Sequence, residues 1–189
     1  MQKYEILIQS NEQLISCLES KYSAKFLYFW GHKNSRSSIN KSCLSQWYSS
    51  AFEDNSTVFK TAEHYMMYHK AIYFGESIIA NKILESKSPG EAKNLGRTIG
   101  SFIDSEWELV RFQIVVHGNF LKFTQNPELG RFLINTNERV LVEASPIDLI
   151  WGVGLSVDDE RINDVKQWKG DNLLGYALMK VRNLLVQGN

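Results

Sequence analysis

The sequence predicts an α+β fold: a single, predominantly α-helical domain with a small β component. Three observations carry that reading. The chain has 189 residues and no internal repeat, low-complexity tract or linker, which suits one domain with a real core. Apolar residues recur at spacings of three and four through most of residues 61–134 and again over 172–186, the period of amphipathic helices. Runs with strand character are short and few.

Residues 1–25 read as an N-terminal extension ahead of a domain spanning 26–189. In the extension Ile6, Leu7, Leu14, Ile15 and Leu18 line one side of a helix, or of a strand followed by a helix. Phe26–Trp30 is an aromatic run ended by Gly31 and predicts a strand. Residues 31–46, rich in Ser, Asn and Lys, predict a loop. Gln46–Phe52 predicts a second strand, and Thr57–Lys60 its hairpin partner across the turn residues Glu53–Ser56.

Thr61 opens a helix with Ala62, Tyr65, Met66, His69 and Ile72 on one face and Gly75 as its C-terminal stop. A second helix covers 76–85, with Ile78, Ile79, Ile83 and Leu84 inward. Ser88-Pro-Gly-Glu91 places a capping Ser before a Pro at the first helical position and a Glu three residues after the cap. Asp104 is positioned to cap the longest helix, which runs toward residue 124. Gly118 inside it costs about 1 kcal/mol against Ala, so close packing is expected there. Asn126-Pro127 opens a short helix, Val140–Ala144 is a strand, 155–169 is a polar connection and 172–186 is the final helix.

Composition excludes several function classes. Lys plus Arg equals Asp plus Glu at 21 each, so no overall basic field announces a nucleic-acid or membrane-surface protein. Cys17 and Cys43 lack zinc spacing, and a pair this sparse suggests free thiols in a reducing compartment. The N-terminal apolar run is too short for a signal peptide, and no run of about twenty apolar residues would span a bilayer. The expectation is a cytoplasmic protein with no membrane partner.

Chemistry concentrates in Leu141–Gly154. A strand breaks at Pro146, and Glu143, Asp148 and Trp151 fall within nine positions among apolar residues. Buried acids are costly unless paired or used; the competing reading is a turn and a core Trp with solvated or capping acids. Glu63, at the start of its helix, either serves the helix dipole or is a working carboxylate. Lys93, Arg97 and Arg111 lie on helices with apolar faces, where each either holds a phosphate or snorkels to solvent. His64 and His69 are five apart and do not share a helical face, so no metal site is expected. Ser145 lacks the glycines of a nucleophile elbow, and Gly152-Val-Gly154 is only a fragment of a dinucleotide fingerprint. Three inward-leaning acids, several Trp and a few cations describe a pocket for a planar, phosphorylated ligand.

The same residues resemble the NADAR family, also called YbiA-like proteins. The pieces occur in order: Phe29-Trp-Gly-His32, Leu44-Ser-Gln-Trp-Tyr48, Thr61-Ala-Glu-His-Tyr-Met-Met67 with Lys70-Ala71 after it, Ala92-Lys-Asn-Leu-Gly-Arg97, Trp107 with Arg111, and Lys122-Phe-Thr-Gln-Asn126. Leu141–Asp148, Trp151–Gly154 and Trp168–Gly175 follow, with Leu178-Met-Lys-Val-Arg182 last. Residues 26–186 carry the likeness, which implies a YbiA-like fold and N-glycosidase activity. Some members act on phosphorylated ribosylaminopyrimidine intermediates of riboflavin synthesis, and others remove ADP-ribose from modified guanine. The resemblance marks Glu63 and Asp148 as catalytic, Trp107 and Trp151 as pocket walls, and Glu143 and Asn172 as matched positions of less certain role; Arg97 and Arg111 join them as phosphate ligands. No cofactor or metal is expected. The implied partner is a small phosphorylated riboside or an ADP-ribosyl substrate, with nucleic acid entering only as an ADP-ribosylated base. The alternative is a non-catalytic domain that binds ADP-ribose or a related nucleotide in the same pocket.

Overall fold

Helix α5 (Asp104–Gln125) is the longest helix among the described residues, and three other helices pack directly against it. The computed structural model describes residues 8–20, 23–32 and 38–188. Among these are α1 (Asn11–Glu19), α2 (Ala62–Tyr73), α3 (Ser77–Glu85), α4 (Pro89–Gly96), α6 (Pro127–Ile134) and α7 (Leu173–Gln187). No helix in them is long and apolar enough to cross a membrane.

Helix α5 meets α7, α2 and α6. Gly118 lies where α2 crosses it, and a Cβ there would fall 2.5 Å from Tyr65 Cδ1. The mid-helix glycine thus lets the two helices pack closely at this point, as its cost in helix propensity foretold.

Two small sheets complete the fold. Strands β1 (Phe26–Phe29) and β4 (Val140–Glu143) pair in parallel, with Phe29 opposite Glu143. Val140, Leu141 and Val142 are fully buried, the continuous apolar pattern expected of a covered parallel strand. Strands β2 (Phe52–Asp54) and β3 (Thr57–Phe59) form a hairpin. Its two turn residues, Asn55 and Ser56, both have positive φ, which matches the twist of the flanking strands.

The cap signals hold where a side chain carries them. Thr61 accepts from His64 N at 3.3 Å, and Ser88 accepts from Glu91 N at 3.2 Å. Gly75, at φ +77°, closes α2 with its N–H on Ile72 O while Glu76 N reaches back to Ala71 O.

Several expectations are corrected. The second strand covers only Phe52–Asp54, and Gln46–Ala51 is irregular. Its start is held elsewhere: Lys122 Nζ takes the carbonyl of the preceding Ser45, and Gln46 O accepts from Glu63 N at 3.0 Å. The loop before it holds a 3₁₀ turn at Lys41–Leu44, capped by the Asn40 side chain. Ile103, not Asp104, is the N-cap of α5. Ile72 and Ile78 are exposed, at 45% and 71%. In α3 Ile83 is inward as expected, but Ala80 takes the other fully buried position in place of Ile78. In the N-terminal stretch Leu14 of α1 is fully buried, and Asn11 bonds both Gly170 O and the Tyr176 hydroxyl. Ile6 and Leu7 lie outside the described residues.

Candidate active site

A cleft of about 670 Å³ opens between the start of α2, the end of α4, the start of α5 and the segment after β4. Glu63 sits in the first turn of α2, where the free N–H groups of the helix favour a carboxylate. Burial overrides that preference. Glu63 is only 3% exposed, and loss of solvent pushes its carboxyl up to about 7. Lys93 pulls the value down, Asp148 pushes it up, and a hydrogen bond from the Trp47 side chain lowers it. One oxygen, Oε1, is buried with no hydrogen-bond partner in the protein.

Glu143 ends β4 and reaches the same cleft. Its backbone is clamped on both sides: its N–H donates to Asn172 Oδ1 at 3.0 Å, and its carbonyl accepts from Val153 N at 3.0 Å. Burial raises its carboxyl to about 8, and the neighbouring Asp148 and Glu63 push in the same direction. Its Oε2 is also buried and unpartnered. Two orphaned carboxyl oxygens facing one cavity are costly to the fold unless a ligand completes them.

Asp148 lies just past Pro146. Its Oδ1 accepts the N–H groups of Ile150 and Trp151 at 3.0 and 2.8 Å, so half of the carboxylate fixes its own turn. Oδ2 faces Lys93 Nζ at 4.0 Å. Gly152 does not leave room for a ligand, because a Cβ there would lie 3.0 Å from Glu143 O. It lets the turn fold back onto the strand, which presents Trp151 to the cleft.

The opposite wall comes from α2, α4 and α5. Trp107 is 6% exposed, and Arg111 stands one turn further along α5. Lys70 sits over the Phe102 ring at 3.8 Å, faces Trp107 at 6.0 Å, and donates to Gly96 O at 3.2 Å. Arg97, the exposed C-cap of α4, also lines the cavity. Arg111 pairs with Glu108 at 3.3 Å.

The structure thus brings Glu63, Glu143, Asp148, Trp107, Trp151, Arg97 and Arg111 to one cavity. Asn172 stands behind β4, fully buried in the left-handed region at φ 54°, with its amide spent on Glu143 N and Leu141 O. Gln46, Trp47 and Lys70, which the sequence motifs contain but give no role, and Phe102, which sequence reasoning missed, also line the cleft. Lys70 had a signal: Glu63, Met67 and Lys70 follow four-and-three spacing, which puts them on one face of α2. His64 is structural, with Nδ1 on Thr61 Oγ1 at 2.8 Å and Nε2 facing Ser86 O. His69 and His117 flank Asp54 at the hairpin. Near pH 7 the two buried glutamates can stand one ionised and one protonated, a base and an acid in one cavity.

The NADAR domain family matches residues 28–186. The chain is 39% identical to "N-glycosidase R617" of Acanthamoeba polyphaga mimivirus, over 84% of this chain and 95% of that protein. It is 33% identical to the maize "Riboflavin biosynthesis protein PYRR, chloroplastic", over 65% of this chain but only 19% of that protein. Among solved structures it resembles the NMR structure of the Escherichia coli protein YbiA, with a TM-score of 0.69, 26% identity and 88% of each chain covered.

Proposed function

Because this chain belongs to the NADAR family and is an N-glycosidase, we propose that it hydrolyses the C1′–N bond of a phosphorylated ribosyl compound. The substrate class is a ribosylaminopyrimidine phosphate or an ADP-ribosylated base. The observation that supports this reading is the pair of buried carboxyl groups, each with an orphaned oxygen, on the floor of one cleft.

The chemistry follows from the residue types. The C1′–N bond breaks with its electron pair leaving on nitrogen, and a proton from Glu143 neutralises that nitrogen. Positive charge develops on the ribosyl carbon, where the carboxylates of Glu63 and Asp148 stabilise it. A water oxygen then bonds to C1′ and passes its proton to Glu63. Trp107 and Trp151 flank the planar base or cover the sugar. Lys70, Arg97 and Arg111 bind the phosphate oxygens. Asn172 contributes by holding Glu143 in place.

The reading favours an enzyme over a nucleotide-binding domain. A stacking surface with phosphate ligands has no use for two buried, unpartnered acids. The test is Glu63→Gln assayed for ribose 5-phosphate release from a ribosylaminopyrimidine 5′-phosphate. Loss of turnover with an intact fold is expected; full turnover would sink the role given to Glu63.

A further inference from the structure

Gln46 is 5% exposed and lines the same cleft, yet its amide nitrogen is buried without any hydrogen-bond partner. The amide cannot be satisfied by turning it over. Asn119, fully buried on α5, donates from Nδ2 to Val115 O at 2.8 Å and to Gln46 Oε1 at 2.7 Å. Reversing Asn119 would set two carbonyl oxygens against each other at the Val115 contact. Asn119 therefore fixes which end of Gln46 is oxygen, and the Nε2 donor is left over. Nor is the loop free to withdraw it: Lys122 Nζ grips the carbonyls of Cys43 and Ser45 at 2.7 and 2.9 Å.

The leftover donor has a complement. Gln46 O accepts from the backbone N–H of Glu63 at 3.0 Å, so the two residues are tied together at the main chain. Glu63 brings an unpartnered acceptor, Oε1, to the cavity that Gln46 lines with an unpartnered donor. A hydroxyl group satisfies both, accepting from Gln46 and donating to Glu63. Each orphan alone would destabilise the fold; filled by one O–H group, both are paired.

We propose that Gln46 is a reaction-centre donor that, together with Glu63, holds an O–H group of the reacting system. Either the attacking water or a ribosyl hydroxyl supplies that group, and the proposal rests on the glycosidase reading above. The two sources share a product signature, because the attacking water becomes the anomeric hydroxyl of ribose 5-phosphate.

The test uses the full chain with Gln46→Met, which removes the donor, and Gln46→Glu, which keeps the oxygen that Asn119 binds but replaces the donor by an acceptor. Both variants should lose roughly 10²-fold in kcat/KM on the ribosylaminopyrimidine 5′-phosphate, while Gln46→Glu melts within a few degrees of the parent. A fall confined to kcat assigns the group to water. A rise in KM that disappears on a 2′-deoxyribosyl analogue assigns it to the sugar. Ribose 5-phosphate should bind at least roughly tenfold more weakly to Gln46→Met by calorimetry. That measurement needs no turnover, so it judges Gln46 even if Glu63→Gln proves fully active and the acid assignment fails. Unchanged kcat/KM together with unchanged product affinity overturns the proposal.

Discussion

Lys122 and Glu63 are both buried charged residues, yet the protein treats them oppositely. Lys122 is fully buried, and its ammonium is met by two backbone carbonyls at 2.7 and 2.9 Å, with the Tyr48 and Phe123 rings nearby. Glu63 is 3% exposed, and one of its oxygens meets nothing. The first residue is finished by the fold and the second is not. Lys122 staples the loop before β2 to α5, whereas Glu63 leaves an open acceptor at the cleft, which suits the catalytic role proposed for it. Of these two residues, the one completed by the fold serves architecture, and the one left incomplete lines the proposed active site.

The sharpest way to break this contrast is to neutralise each partner. Glu63→Gln should lower kcat/KM by roughly 10³-fold and leave Tm unchanged or higher, because an orphaned buried carboxyl is replaced by an uncharged amide. A large fall in Tm in a thermal melt would show that Glu63 also supports the fold. Lys122→Met should do the reverse. It strands two carbonyls and costs about 2–4 kcal/mol, a drop of roughly 10 °C for a chain of this size. A melt within about 2 °C of the parent would remove Lys122 from the architectural side.

A smaller effect sits between the two classes. Asn172 is finished like Lys122, yet it holds Glu143, which is not. Asn172→Ala should cost about 1–3 kcal/mol, from two lost hydrogen bonds and a left-handed backbone position that Ala disfavours. Asn172→Gly keeps the backbone geometry and should recover part of that stability but not the activity, since neither variant can hold the Glu143 N–H. Equal activity in all three proteins would detach Asn172 from the site.

The smallest effect is the pH dependence of stability. Glu63 and Glu143 have folded values of about 7 and 8, above the ordinary 4.5. Their contribution is full below about 4.5 and is lost as pH rises through 7 and 8. Lys122 is depressed to about 7 from 10.5. Its contribution is full above 10.5, is lost as pH falls toward 7, and adds no slope below that. Between pH 5 and 7 only the glutamates among these three act, so stability conferred by them declines with rising pH. Thermal melts should show the double variant Glu63→Gln, Glu143→Gln gaining roughly 5 °C on the parent between pH 6 and 7. Parallel Tm curves would contradict it.

Much of this was legible in the sequence, and what was not has identifiable causes. Helix starts were readable at Thr61, Ser88 and Asn126 because a capping or Pro signal is local. The facing of Ile78 was misread because three-and-four spacing in a nine-residue helix fits more than one face, and contacts with α2 and α4 select Ala80 and Ile83. The strand expected over Gln46–Phe52 failed over most of its length because distant residues hold its start: Lys122 grips the Cys43 and Ser45 carbonyls just before it, and Glu63 N takes the Gln46 carbonyl. In the site, Glu63, Asp148, Trp107 and Trp151 were found through motif and residue type. Asn172 was found as a position, but its work depends on a left-handed φ that no local pattern announces. Gln46 carried a quotable motif without a role, since an orphaned donor exists only once Asn119 has been packed against it.

The parallel pairing of β1 with β4 has a kinetic consequence. Phe29 and Glu143 sit opposite each other although more than a hundred residues separate them in the chain. No short hairpin can nucleate that contact, and the entropy of closing so long a loop must be met before it rewards the chain. Helices α2 to α6 lie wholly inside that loop. During refolding, helical signal should return ahead of glycosidase turnover, because the acid at the end of β4 reaches its station only when the ends of the domain meet. Catalytic recovery thus serves as a clock for the last topological closure of the chain.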